Sequence, residues 1–147
     1  MNIVIAADHR GFHLKEDLKD WLQTLGHQVI DTGNHEYDEN DDFPDFASKA
    51  AMQVAEDFDS RGIIFCGSGA GVSITANKIK GARACIGMTR EQVESAKADD
   101  DLNVLVIAAD YTGQDRVKEM IEVFLSTPFK GEERHLRRLQ KIKDLEN

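Results

Sequence analysis

The 147-residue chain has few cysteines, a deficit of positive charge and no long apolar run. Its two cysteines, Cys66 and Cys85, are too few for a disulfide scaffold and suit a reducing compartment. Lys and Arg number 18 against 27 Asp and Glu, a net charge of −9, so the surface on average repels nucleic acid and anionic membrane. No apolar run approaches the roughly 20 residues that a membrane span needs. The opening residues, MNIVIAADHRG, show neither a basic n-region nor a small-residue cleavage site, and a cytoplasmic location is expected. Gly-Lys-Ser/Thr, the signature of a nucleoside-triphosphate loop, is also missing. With 41% hydrophobic and 31% charged residues, the chain reads as one globular domain over 1–147, with no repeat, linker or low-complexity tract.

Short apolar runs alternate with helix-length amphipathic segments. Strands are expected at Asn2–Ala7, Gln28–Asp31, Gly62–Cys66, Ala84–Met88 and Val104–Ala108, several of them continuous in Val, Ile and Ala as in strands buried on both faces. Leu14, Leu18, Trp21, Leu22 and Leu25 recur at helical spacing, and Gly26 is expected to stop that helix. Further helices are expected at Asp45–Ala55, Gly71–Lys78, Thr89–Lys97 and Asp115–Leu125, with a charged C-terminal helix from Gly131 to about Leu145. Strand–helix alternation implies right-handed crossovers, hence an α/β fold. A three-layer αβα sandwich on a five-stranded parallel sheet, Rossmann-like or flavodoxin-like, follows. The acidic stretch His35–Asp42 reads as a surface excursion.

Open parallel sheets bind ligands beyond the carboxyl ends of their strands, which selects Asp8–Gly11, Cys66–Gly71, Gly87–Thr89 and Ala109–Gly113. The strongest local signal is Cys66-Gly67-Ser68-Gly69-Ala70-Gly71, a strand end running through three glycines into a helix. Glycines there let backbone amides approach an anion. A dinucleotide loop is not indicated, because the third glycine of that fingerprint is misplaced and the loop follows strand 3 rather than strand 1. Two readings of Cys66 stand together: a base or nucleophile whose pKa the amides and helix dipole lower, or a small hydrophobe ending a core strand. Asp8 is either a helix N-cap or a carboxylate for substrate hydroxyls beside the cationic His9 and Arg10. His9 and His13, four apart, lack a third metal ligand, so no metal is expected. Arg134 and Arg138 lie one helical turn apart, suited to clamping a phosphate or to pairing with Glu132 and Glu133 in solvent.

The ordered motifs Asp8-His9-x-Gly11-x-x-Leu14-Lys15, Asp42-x-Pro44, Cys66-Gly-x-Gly-x-Gly71, Ala76-Asn77-Lys78, Gly81-x-Arg83-Ala84 and Arg134-His135-x-x-Arg138 resemble the type B ribose-5-phosphate isomerases, a family that includes galactose-6-phosphate isomerase subunits. The resemblance spans essentially the whole chain. It implies an aldose–ketose isomerase of a sugar phosphate in which Cys66 moves a proton between C1 and C2 through a cis-enediolate. Gly67, Ser68, Gly69, Ala70 and Gly71 would cradle the enediolate oxygens, Asp8 would hold sugar hydroxyls, and His9, Arg134 and Arg138 would grip the phosphate. It further implies a homodimer or homotetramer with shared active sites, the C-terminal helix packing on a neighbouring subunit, and no cofactor.

The chain also departs from the family's pattern. Asp99 stands where the ring-opening His is usual, Asp100 where an Asn contacts substrate, Asp110 where strand 5 offers an Arg, and Phe43 where a Tyr is usual. Added carboxylates would make the pocket more hostile to a phosphate dianion, by several kcal/mol for a charge reversal at ~5 Å. Crowding by Asp100 and Asp101 would raise the Asp99 pKa if all three face one site. Other readings therefore stand beside the sugar-phosphate isomerase: an isomerase of a less charged sugar, a non-catalytic or partner-dependent sugar-binding paralogue, and a thiol sensor centred on Cys66.

Overall fold

A computed structural model describes residues 1–146. The chain runs β1 (Asn2–Ala7), α1 (Phe12–Thr24), β2 (Gln28–Asp31), α2 (Phe43–Glu56), β3 (Arg61–Cys66), α3 (Ala70–Ala76), β4 (Ala84–Ile86), α4 (Arg90–Asp100), β5 (Val104–Ala108), α5 (Gln114–Ser126) and α6 (Glu133–Lys143). All strand pairs are parallel, in the order β2-β1-β3-β5-β4.

Alternation along each strand sorts the core into two layers. Ile3, Ile5, Ile63, Phe65, Leu105 and Ile107 face Leu18 and Leu22 of α1, Val93 of α4, and Val117, Met120 and Phe124 of α5. Val4, Ala6, Ile64, Cys66 and Val106 face Ala47, Ala50, Ala51 and Val54 of α2 and Val72 and Ala76 of α3. Both faces are thus covered, as the continuous apolar strands require.

Element ends follow local chemistry. Gly26, at φ +83°, turns the chain out of α1 in a conformation that side chains disfavour. Helix α2 starts at Phe43, two residues before the expected Asp45, with Pro44 in its first turn, where proline needs no amide partner. Thr89 lies outside α4 and caps it, its hydroxyl accepting the Gln92 amide at 3.1 Å. Lys97 is not the end of that helix, which continues to Asp100 until Asp101 turns left-handed at φ +47°. The third helix begins at Ala70 and ends at Ala76, and β4 stops at Ile86, two residues short of Met88. No helix among the described residues is long and apolar enough to cross a membrane.

Two consequences bear on function. From β1 the chain leaves toward β2 on one side, while β3 pairs on the other, so a crevice opens beyond the carboxyl ends of β1 and β3. Unlike a flavodoxin order, β5 lies between β3 and β4, so Cys66 faces Ala108 across the ladder.

Candidate active site

Cys66 ends β3 inside that crevice, 6% exposed, beside Asp8, 4% exposed, which follows β1. The thiol donates to Asp8 Oδ2 at 2.9 Å, and Asp8 Oδ1 accepts the Gly11 amide at 3.0 Å. Asp8 is therefore not the helix cap: α1 is capped at Gly11, and both carboxylate oxygens are committed to the turn and the thiol. Glycine is required at position 11 because α1 lies against β3; a Cβ there would overlap the Phe65 backbone.

The amides of Gly69 and Gly67 favour the thiolate form of Cys66, and Gly69, at φ +78°, sets the bend of the turn that carries them. The expected depression of the thiol pKa is nevertheless reversed. Burial, the hydrogen bond to Asp8 and the Asp8 charge outweigh the two amides and push the thiol up to about 11. At rest Cys66 is a neutral thiol. Exposed Ser68 accepts the Ala70 amide at 3.3 Å, and Gly71 underlies the Phe43 ring, which a Cβ would meet at 2.6 Å.

His9 Nδ1 lies 2.7 Å from Asp41 Oδ1, an arrangement that assigns the proton to Nδ1 and turns Nε2 outward. The Asp41 side chain is only 3% exposed and also accepts from Asn34 Nδ2 at 3.3 Å. The acidic stretch is thus more than a surface excursion, since Asp41 anchors it to the crevice. His13 stacks on Tyr37 and shares no partner with His9. Among the described residues, no cluster of His, Cys, Asp and Glu is arranged to hold a metal. Arg10 reaches across Gly67 to pair with Asp110. Asp110 therefore does not stand as unopposed negative charge, contrary to expectation.

The remaining expected site residues lie toward the opposite end of the strands. Asp99 and Asp100 precede Val104, which pairs with Gly62 at the start of β3, whereas Cys66 pairs with Ala108. A strand length of about 13 Å separates these levels. Asp99 accepts Lys130 Nζ at 2.8 Å and lies 3.7 Å from His135 Nε2. The Lys130 hydrogen bond and charge hold the Asp99 carboxyl below its usual range, so the expected rise is corrected. Crowding fails because the three aspartates diverge. Asp101 pairs with Arg83 at 2.9 Å and Lys97 at 2.6 Å, while Asp100 lines a cavity of about 630 Å³ with Asn77, Lys78 and Cys85. Arg134 and Arg138 are exposed on α6, which packs against α4, and Arg134 Nε bonds Glu132 at 2.9 Å.

The expected site residues therefore fall into two groups, one at each end of the strands. Asn77 and Arg83, both in the motifs, serve the scaffold: Asn77 exchanges hydrogen bonds of 2.9 Å with the Ala84 backbone, and Arg83 bonds the Asp101 carbonyl at 2.8 Å. Sequence reasoning noted Arg10 only as a cation beside Asp8, without its Asp110 partner, and passed over Asp41. A cation next to Asp8-His9 was the available signal for Arg10; Asp41, within an acidic run, had none. Cys85 accepts Gln92 Nε2 at 3.1 Å on β4, and β5 separates it from the strand of Cys66, which removes a dithiol from the thiol-sensor reading.

Comparison with known proteins identifies the family. The profile of the ribose/galactose isomerase family matches residues 3–142. A probable ribose-5-phosphate isomerase B from Mycoplasma genitalium is 37% identical over 142 residues, covering 96% of this chain and 93% of its own. A crystal structure of ribose-5-phosphate isomerase B from that organism, with ribulose 5-phosphate bound, superposes with a TM-score of 0.94 at 37% identity, covering 99% of this chain and 95% of that one. The Thermotoga maritima ribose 5-phosphate isomerase structure gives 0.92 at 36% identity, with 97% of each chain covered.

Proposed function

The chain belongs to the ribose/galactose isomerase family, and from that membership and the geometry at Cys66 we propose that it interconverts an aldose phosphate and its ketose, with ribose 5-phosphate and ribulose 5-phosphate as the leading pair. The observation that carries the reading is a buried sulfur hydrogen-bonded to a carboxylate at the start of a glycine-rich turn that enters a helix. That is a proton carrier set inside an oxyanion cradle.

As thiolate, Cys66 takes the proton from C2 of the open-chain aldose, and the electron pair of the C2–H bond forms the C1–C2 double bond of a cis-enediolate. Negative charge moves to O1, where the amides of Gly67, Gly69 and Gly71 and the Ser68 hydroxyl are positioned to oppose it. Returning the proton to C1 while the O2 proton passes to O1 completes the ketose. Asp8 serves the oxygens in that exchange and holds the hydroxyls. When Asp8 turns from the sulfur to the sugar, the thiol loses the neighbour that keeps it protonated, so substrate binding itself favours the thiolate. A proton moved between adjacent carbons needs a base and oxyanion donors and no organic cofactor.

The second half-site requires a second chain. Asp99, ionised beside Lys130, is suited to accept the anomeric proton during ring opening, with Asp100 on the sugar and Arg134 and Arg138 on the phosphate. In a symmetric dimer, the α4–α6 edge of one protomer would complete the Cys66 crevice of the other. Support comes from the apolar residues that α6 leaves unfilled: Leu136 and Ile142 are exposed, and together with Leu139 and Phe58 they line a cavity of about 670 Å³. We assign the protein to the cytoplasm on its composition.

The test is solvent-deuterium incorporation at C2, followed by NMR, with ribose 5-phosphate, allose 6-phosphate and free ribose. Exchange that vanishes in Cys66→Ala establishes the base and names the substrate class. Exchange with none of these sugars would sink the isomerase reading and favour a binding-only or partner-dependent paralogue.

A further inference from the structure

We propose that Arg10 adds a further cation for the substrate's phosphate, on the Cys66 side of the crevice, and that Asp110 is the partner from which the phosphate displaces it. The proposal rests on the isomerase reading above and adds a residue that determines which sugars are accepted.

The side chain of Arg10 leaves the turn after β1, crosses the end of β3 and pairs with Asp110 beyond β5. Its guanidinium lies directly on Gly67: a Cβ at that position would occupy the space of Arg10 Nε and Cζ. The receiving end is fixed by backbone. The Asp110 amide donates to the Gly67 carbonyl at 3.1 Å and the Ala109 amide to the Cys66 carbonyl at 2.8 Å. Arg10 thus forms a strap across the cradle, in electrostatic contact with Asp110 first and also with Cys66 and Asp8.

Three features separate this strap from a structural ion pair. Its side chains are 48% and 39% exposed, so solvent and ligands reach both charges. Exposed pairs of this kind contribute little to stability and exchange partners readily. A guanidinium also presents a planar fork of donors that matches two phosphate oxygens, whereas Asp110 engages it only through Nη2. Other cations at this edge are committed. Lys15 Nζ is buried on Asp31 and the Asn34 carbonyl, His9 holds Asp41, and Arg116 Nη2 donates to the Met88 carbonyl at 2.9 Å. Without Arg10, a dianion entering here would meet Asp8, Asp41 and Asp110; with it, the anion replaces Asp110 on a cation already in position.

Kinetics with ribose 5-phosphate and free ribose, together with titration of inorganic phosphate followed by ³¹P NMR, test the assignment. Arg10→Ala should raise KM for the phosphorylated sugar about 10- to 100-fold and weaken inorganic phosphate, with kcat and the KM for free ribose changed much less. Arg10→Lys should recover part of the loss. Gly67→Ala, which displaces the guanidinium and leaves it charged, should shift KM in the same direction. Asp110→Asn should tighten inorganic phosphate, since the competing carboxylate is gone. Unchanged KM and phosphate affinity in Arg10→Ala would overturn the proposal, as would Asp110→Asn weakening phosphate as much as Arg10→Ala does. Absence of any turnover by the wild type would count against the isomerase reading alone, because phosphate affinity would still decide the role of Arg10. Failure of the wild type to bind inorganic phosphate would refute that role directly.

Discussion

Replacing Asp8 with Asn should bring the Cys66 thiol back toward its ordinary range while impairing turnover. Sulfur and carboxylate lie 2.9 Å apart in a buried site, and burial, the hydrogen bond and the carboxylate charge all favour the neutral thiol, at about 11. Two charges about 3.5 Å apart at an effective dielectric of 20 repel by about 4 to 5 kcal/mol, or about 3 pK units, as an upper bound. Burial is the largest of the three causes and survives the substitution, so a fall of about 1 to 2 units is expected. The Asn amide can also donate to the thiolate, which acts in the same direction. The assay is the pH dependence of alkylation by iodoacetamide in a Cys85→Ser background, with the Cys66 adduct quantified by mass spectrometry. Turnover should fall even as the thiol ionises more readily, because Asp8 also serves the sugar oxygens. An unchanged or higher thiol pKa in Asp8→Asn would refute the coupling and with it the idea that substrate frees the thiolate by engaging Asp8.

Further outcomes follow from the same geometry. The folded thiol pKa lies above the ordinary 9.0, so its contribution to stability is complete below pH 9 and lost as pH rises toward about 11. Urea titrations should record a decline of about 2 to 3 kcal/mol across that window, and Cys66→Ala should abolish the slope. Lys15 is fully buried, with Nζ 2.8 and 2.9 Å from the two Asp31 oxygens, so Lys15→Met should cost about 1 to 3 kcal/mol in the same titrations, because Asp31 loses its buried cation and keeps only Lys19 and the Gly33 amide. Burial pushes Asp31 up, but bonds from Lys15, the Gly33 amide and Lys19 hold it below its usual range. Its contribution is present above the ordinary carboxylate pKa and fades as pH falls through the lower folded value; Asp31→Asn should flatten that part of an acid-unfolding curve. Finally, Cys66→Ala and Asp99→Ala chains, each inactive alone, should recover about a quarter of wild-type activity when mixed in equal amounts and exchanged. Half of the dimers are then mixed and carry one intact site; no recovery would refute a shared site.

Helix and strand positions were readable because this chain states them locally. The Leu14–Leu25 spacing, the glycine at 26 and the valine- and isoleucine-rich strands each reflect an interaction within a few residues, and all five strands stand where they were expected apart from their ends. Strand order was less accessible: nothing local in Val104–Ala108 says that it inserts beside β3 and leaves β4 at the edge. The Cys66 loop was legible for a similar reason, since three closely spaced glycines after a strand have few other uses. The protonation state of Cys66 was not. Sequence proximity pointed to the Gly67 and Gly69 amides, whereas burial and then Asp8, 58 positions away, outweigh them.

By itself, then, the sequence determined the alternation of elements, the parallel sheet, the family and the identity of the thiol, because periodicity and ordered motifs are properties of the chain read along its length. Tertiary structure decided what those residues are to one another. It set Asp8 against Cys66, led Arg10 across Gly67 to Asp110, and separated Asp99, Asp100 and Asp101 onto different partners. It also put Cys66 and Asp99 at opposite ends of the strands, a strand length apart. Charges interact through the distances and burial that folding creates, so the electrostatics of this site belong to the packed sheet and not to the order of its residues.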